Sequence, residues 1–132
     1  MKKSLYLLIA ILILGACAKE KDTKITANLT WQDDTNITDR SDANWIAALY
    51  EDATYLGTTA IDKEPVEYKA IQLNDASVSF TYSLKKYTNF SVIVFYDTNK
   101  NGKYDASEYY KPWTSGTDPG EDLTMSIDNI RY

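Results

Sequence analysis

The sequence predicts an all-β domain, a single antiparallel Greek-key β-sandwich of about seven strands, and three observations lead there. Apolar and polar residues alternate with a period of two through most of the chain, as in Val78, Phe80, Tyr82 and Leu84 against Ser77, Ser79, Thr81 and Ser83. Polar turns separate runs that are short and rich in β-branched and aromatic residues. The stretch carrying these runs is about a hundred residues long, the size of one sandwich domain.

The first strand is read at Ile25, Ala27, Leu29 and Trp31 on one face with Thr26, Asn28 and Thr30 on the other. A long polar loop follows, Gln32 to Asn44, with Asp33, Asp34, Asp39 and Asp42 in it. Trp45 to Tyr50 is apolar at every position, which fits an inner strand covered on both sides. Tyr55 to Ile61 reads as a short strand, and Pro65 makes its surroundings edge or loop. Val66 to Leu73 fits either a strand or a short turn of helix. After the Ser77 to Leu84 strand and the basic turn Lys85-Lys86 comes Phe90 to Tyr96, the strongest strand signal in the chain. Leu123, Met125 and Ile127 alternate with Thr124, Ser126 and Asp128 to close the domain.

The beginning of the chain has a different character. Lys2 and Lys3 precede an uncharged apolar run, Leu5 to Leu14, too short for a transmembrane helix of about 20 residues and suited to a signal peptide. Leu14-Gly15-Ala16-Cys17 resembles the lipobox of bacterial lipoproteins. That resemblance implies cleavage before Cys17, diacylglycerol on its thiol and further acylation. The expected organisation is a lipoprotein signal peptide over 1–16, a lipidated tether over 17–24, and a β-sandwich domain over 25–132. The localisation that follows is the cell envelope, lipid-anchored, with the outer membrane favoured. Two or more acyl chains, at roughly 0.8 kcal/mol per buried CH₂, hold a protein on a bilayer where one is marginal.

Composition narrows the chemistry. Cys17 is the sole cysteine and histidine is absent. Once lipidated, the domain has no thiol, no imidazole base and no ordinary zinc ligands. Lys and Arg total 14; less Lys2 and Lys3, 12 remain against 19 Asp and Glu, a net charge of −7. An acidic surface without a basic stripe argues against nucleic-acid binding.

The stretch Asp97-Thr98-Asn99-Lys100-Asn101-Gly102-Lys103-Tyr104-Asp105-Ala106-Ser107-Glu108 carries the most specific pattern. It places oxygen-bearing side chains at positions 1, 3, 5, 9 and 12 and glycine at 6, the spacing of the twelve-residue EF-hand calcium loop. Calcium takes 6–8 oxygen ligands, and Gly102 permits the sharp turn that lets alternate side chains converge. Asp97, Asn99, Asn101, Asp105 and Glu108 are the side-chain candidates, with Lys103 offering its carbonyl. Phe90 to Tyr96 is too β-branched for an EF-hand's entering helix, so the chemistry resembles the EF-hand and the fold does not. With its strands, the region from Ile25 to Trp113 is similar to transthyretin-like or carboxypeptidase-regulatory-like β-sandwich modules of secreted bacterial proteins. These modules often carry such a loop after a similar strand; here Lys85-Lys86-Tyr87-Thr88-Asn89 replaces their usual Pro-Ala-Gly turn. The resemblance implies a structural or adhesive unit without catalytic activity.

Two function classes follow. The first is a non-enzymatic, calcium-binding envelope lipoprotein presenting loops to a protein or glycan, with Tyr109, Tyr110 and Trp113 as a ligand platform. The second is a glycan-binding subunit or accessory hydrolase of a surface glycan system, in which paired acids such as Asp33/Asp34, Glu51/Asp52 or Glu121/Asp122 would serve.

Overall fold

The computed structural model describes residues 18–41, 43–51 and 64–132. Seven strands are present among these residues, with no helix: β1 (Lys21–Gln32), β2 (Trp45–Glu51), β3 (Glu67–Ile71), β4 (Ser77–Leu84), β5 (Thr88–Tyr96), β6 (Tyr110–Thr117) and β7 (Leu123–Arg131). They form a β-sandwich of two sheets, one ordered β4-β1-β7 and the other β3-β2-β5-β6. The expected signal peptide, Cys17, Asp42, Asp52 and the strand read at Tyr55 to Ile61 lie outside the described residues.

The alternating strands make the three-stranded sheet. Ile25, Ala27 and Leu29 of β1, Val78, Phe80 and Leu84 of β4, and Met125 and Ile127 of β7 all enter one core, with the intervening Ser, Thr and Asn facing outward. The continuously apolar strands lie at the middle of the four-stranded sheet, because only there are both faces covered. β5 sends Phe90, Val92 and Val94 into the main core and Ile93 and Phe95 into a second cluster on the opposite face. β2 divides the same way, Trp45, Ala47 and Leu49 inward and Ala48 and Tyr50 outward. Burying each large side chain contributes roughly 1.5–3 kcal/mol.

Several expectations are sharpened. The ladders are antiparallel except one: β1 and β7 pair in parallel, Ile25 opposite Leu123 and Ala27 opposite Met125. β1 begins at Lys21, so residues 21–24 of the expected tether already belong to the sheet. Cross-strand chemistry holds them: Ser83 Oγ donates to Asp22, Lys24 N donates to Asp122 Oδ1 at 3.1 Å, and the buried Thr23 Oγ1 accepts Gly120 N at 3.0 Å. The 66–73 stretch is a strand over Glu67–Ile71. Strand β6 extends through Thr117, into what reads in sequence as a polar loop from Thr114 to Asp122. Pro112 and Gly116 blur its alternation; β6 is an edge strand, where a residue without an N–H is tolerated.

β7 also departs from simple alternation. Its pairing with β1 runs Leu29 opposite Ile127 and then Trp31 opposite Ile130, with Asn129 at φ 57°. The extra residue is a β-bulge, and it turns Ile130 into the core at a position where unbroken alternation would expose it.

Candidate functional site

The loop 97–108 is the connection of the β5–β6 hairpin, at the end of the sandwich where β5 finishes. The ladder closes at its neck, where Tyr96 N donates to Tyr109 O at 3.0 Å. Asp97 is 4% exposed and Glu108 6%, so the two ends of the loop carry buried carboxylates.

Each of these carboxylates is held by backbone amides. Asp97 Oδ1 accepts Asn101 N at 3.1 Å and its Oδ2 accepts Gly102 N at 2.7 Å. Glu108 spans the loop: Oε1 accepts Thr98 N at 2.8 Å and Oε2 accepts Asp105 N at 3.0 Å. Such charge-assisted bonds satisfy buried anions and also fix the separation of the loop's first and last residues. Gly102 makes the turn at φ 76°, with Lys100 at φ 60° before it.

The middle of the loop converges on Asp105. Asn99 Nδ2 and Asn101 Nδ2 both donate to its Oδ2, at 2.6 and 2.8 Å. Meanwhile Asn99 Oδ1 accepts Asn101 N at 3.0 Å, and Asn101 Oδ1 accepts Lys103 N at 2.7 Å. Positions 3, 5 and 9 of the pattern therefore meet at one carboxylate oxygen. The carboxylates of Asp97, Asp105 and Glu108 do not gather at a single point: among the described residues no group of three or more acidic, cysteine or histidine side chains is placed to hold a metal. The donor set nevertheless suits a hard cation in kind, since every expected ligand atom is an oxygen. The two asparagine amides turn nitrogen toward Asp105 here; rotation about the last side-chain torsion would exchange it for oxygen.

The loop lies back on the second cluster through Tyr104, whose ring sits 5.6 Å from Phe95 and 5.2 Å from Tyr110. Lys103 Nζ pairs with Glu64 at 3.2 Å. Close by, Tyr50 is 2% exposed, and burial, reinforced by the Tyr68 hydroxyl and Glu64, raises its phenol well above the usual range.

The three residues expected as a platform do not share one surface. Tyr109 packs on the main core and Tyr110 on the opposite cluster. Trp113 is 45% exposed and stands opposite Val92 on the edge strand β6. Of the paired acids, Glu51 accepts Tyr82 Oη at 2.6 Å and Asp122 accepts Lys24 N. Asp34 caps its own turn by accepting Asn36 N at 3.1 Å, and that bond and the one from Asn36 Nδ2 hold its carboxyl below the ordinary range. An open hollow of about 490 Å³ beside the turn after β3, lined by Ala43, Ile71, Gln72, Leu73 and Asn74, contains none of the expected site residues.

Reading along the sequence misses the neck of the loop. Asp97 N donates to Asn44 O at 2.9 Å. The rings of Tyr96 and Tyr109, immediately outside the loop on either side, both meet Trp45 edge-on at 5.1 and 6.1 Å. These partners are more than 40 positions away in sequence, so no local spacing marks them; the one local signal is a tyrosine at each end of the loop.

Compared with known protein families, with curated proteins and with solved structures, the chain matches none.

Proposed function

We propose that the chain is a non-enzymatic cell-envelope lipoprotein, anchored to a membrane through lipid on Cys17, whose β-sandwich binds calcium in the β5–β6 loop and serves a structural or recognition role. The observation that carries the calcium reading is the convergence of Asn99 and Asn101 on Asp105 between two buried carboxylates, Asp97, which holds the turn at Asn101 and Gly102, and Glu108, which reaches across to Thr98. Asp97, Asn99, Asn101, Asp105 and Glu108, with the Lys103 carbonyl, are the ligands. Three carboxylates on a dication leave the filled site at −1, and ligation draws together carboxylates that the loop otherwise holds apart. Exposed and single as it is, the loop belongs with extracellular modules of affinity on the order of 10⁻⁴–10⁻³ M.

The anchoring reading rests on Leu14-Gly15-Ala16-Cys17; with β1 starting at Lys21, it leaves Ala18-Lys19-Glu20 between Cys17 and the sheet. Four steps of chain span at most about 14 Å, so the body would sit close to the bilayer. β5 then carries the calcium loop to the far end, about 30 Å away.

Melting the protein with calcium and with chelator tests the site: calcium raises the melting temperature, and Glu108→Gln removes the increase. An unchanged melting temperature at millimolar calcium rejects it. Mass spectrometry of the membrane fraction tests the anchor, which fails if the mature chain lacks a lipidated Cys17. The exposed indole of Trp113 favours a second reading, a glycan-binding subunit. Binding on a glycan array that Trp113→Ala abolishes would support it, and binding retained by that variant would reject this surface.

A further inference from the structure

We infer that a cation in the β5–β6 loop also sets the order of two neighbouring segments, the 33–41 loop and the end of β7, through an aromatic clasp on Trp45. This rests on the calcium reading and adds regulation to it.

The clasp is built from the residues immediately outside the loop. Tyr96 precedes Asp97, Tyr109 follows Glu108, and both rings lie against Trp45, which itself meets Trp31 at 5.0 Å. Each tyrosine then reaches a different segment. Tyr96 Oη accepts Ser41 N at 3.2 Å and lies 3.3 Å from Ser41 Oγ. Tyr109 Oη accepts Arg131 N at 2.8 Å, and the Arg40 guanidinium covers its ring at 3.8 Å. Arg40 Nη1 donates to Arg131 O at 2.8 Å, and Trp45 Nε1 donates to Ser41 O at 3.0 Å. The neck of the loop, Arg40, Ser41 and Trp45, and the end of β7 thus share one set of contacts.

The 33–41 segment has no strand pairing of its own. Besides the turn at Asp34, it is tied by Asp34 N to Tyr132 O at 2.9 Å, by Asp34 to Arg131 at 3.6 Å, and by the clasp. Ligation of one cation by Asp97 and Glu108 would draw together carboxylates that stand apart in the loop, and so acts on the separation of Tyr96 and Tyr109. A bound dication fixes that separation and holds both rings on Trp45. Linkage is reciprocal: whatever factor calcium contributes to ordering the segment, an ordered segment returns to calcium affinity.

The test uses the full chain in detergent, with calcium binding measured by calorimetry and order measured separately by amide hydrogen exchange. Calcium should slow exchange over 36–41 and 130–132 by roughly 5-fold or more. Tyr96→Phe keeps the ring but removes the hydroxyl that holds Ser41, so it should lose most of the protection over 36–41 and weaken calcium by a similar factor. Tyr109→Phe should do the same over 130–132 and serves if the first variant fails to fold. Calcium binding without protection overturns the clasp and leaves the calcium reading standing, as does full protection in both variants. No binding heat at millimolar calcium overturns both.

Discussion

Among the described residues, the short and the long connections between strands are held differently. Where β1 begins, β4 passes to β5 through Lys85 to Tyr87 and β6 to β7 through Asp118 to Asp122, and backbone or single side-chain bonds such as Thr117 Oγ1 to Glu121 O complete the turns. At the other end, beside the short turn from β3 to β4, the connections from β1 to β2 and from β5 to β6 are longer, and side chains hold them: Asp97, Glu108, Tyr96, Tyr109, Arg40 and Trp45. Short turns need little beyond the sheets they join. Long loops keep a shape only when buried polar groups are satisfied one by one, which makes that end the place where a ligand can change the structure.

The largest effect expected from this contrast is at Trp45, which belongs to the core and to the clasp. Trp45→Ala should cost about 3–5 kcal/mol in denaturant unfolding, through the cavity it leaves. A loss under 1 kcal/mol would mean that the long-loop end does not depend on it.

Two tyrosines should respond to alkali with opposite sign. Burial raises Tyr50 in the folded state, so the unfolded chain loses this proton first; stability is intact below about pH 10 and falls as pH rises further, by at most about 1.4 kcal/mol per pH unit. The hydrogen bonds from Ser41 lower Tyr96, so its ionisation favours the folded state; its contribution is present above about pH 10 and is lost as pH falls through its folded value. Unfolding measured from pH 8 to 11.5 should therefore show Tyr50→Phe flattening the alkaline fall and Tyr96→Phe steepening it. Identical profiles for the two variants would remove the distinction.

Glycines separate the ends more finely. Gly102 sits at φ 76° with nothing near the position of an added Cβ, so Gly102→Ala should cost about 1–2 kcal/mol from backbone conformation alone. At Gly116 an added Cβ would collide with Tyr87 Oη and Asn89 Oδ1, but Tyr87 is exposed and its ring can swing aside, so about 1 kcal/mol or less is expected. Thermal melts of the two variants rank them, and the reverse order would show Tyr87 to be held in place. The smallest effect should be at Trp113, where replacement by Ala changes stability by no more than about 0.5 kcal/mol, as at an exposed site outside the core.

Much of the architecture is legible in the residue order because burial imposes periodicity. The alternation in β1, β4 and β7 and the unbroken apolar run of β5 specify which strands have one covered face and which have two. Legibility ends where a residue's role depends on strand neighbours. β6 escapes detection because an edge strand tolerates Pro112, and Ile130 is buried only because the bulge at Asn129 shifts the register. The oxygen ligands of the β5–β6 loop are local in sequence, and so are readable as a spacing; the bonds that hold its neck are not.

The sequence by itself therefore determines a β-sandwich with a twelve-residue acidic loop after its strongest strand, through side-chain periodicity and turn chemistry, both properties of near neighbours. Tertiary structure decides that β1 and β7 run in parallel, that Tyr109 and Tyr110 face opposite sides, and that Trp45 meets both tyrosines flanking the loop. The physical reason is the same in each case: these contacts join residues brought together by sheet pairing and packing, and nothing in the local order of the chain encodes which distant surface will lie across from them.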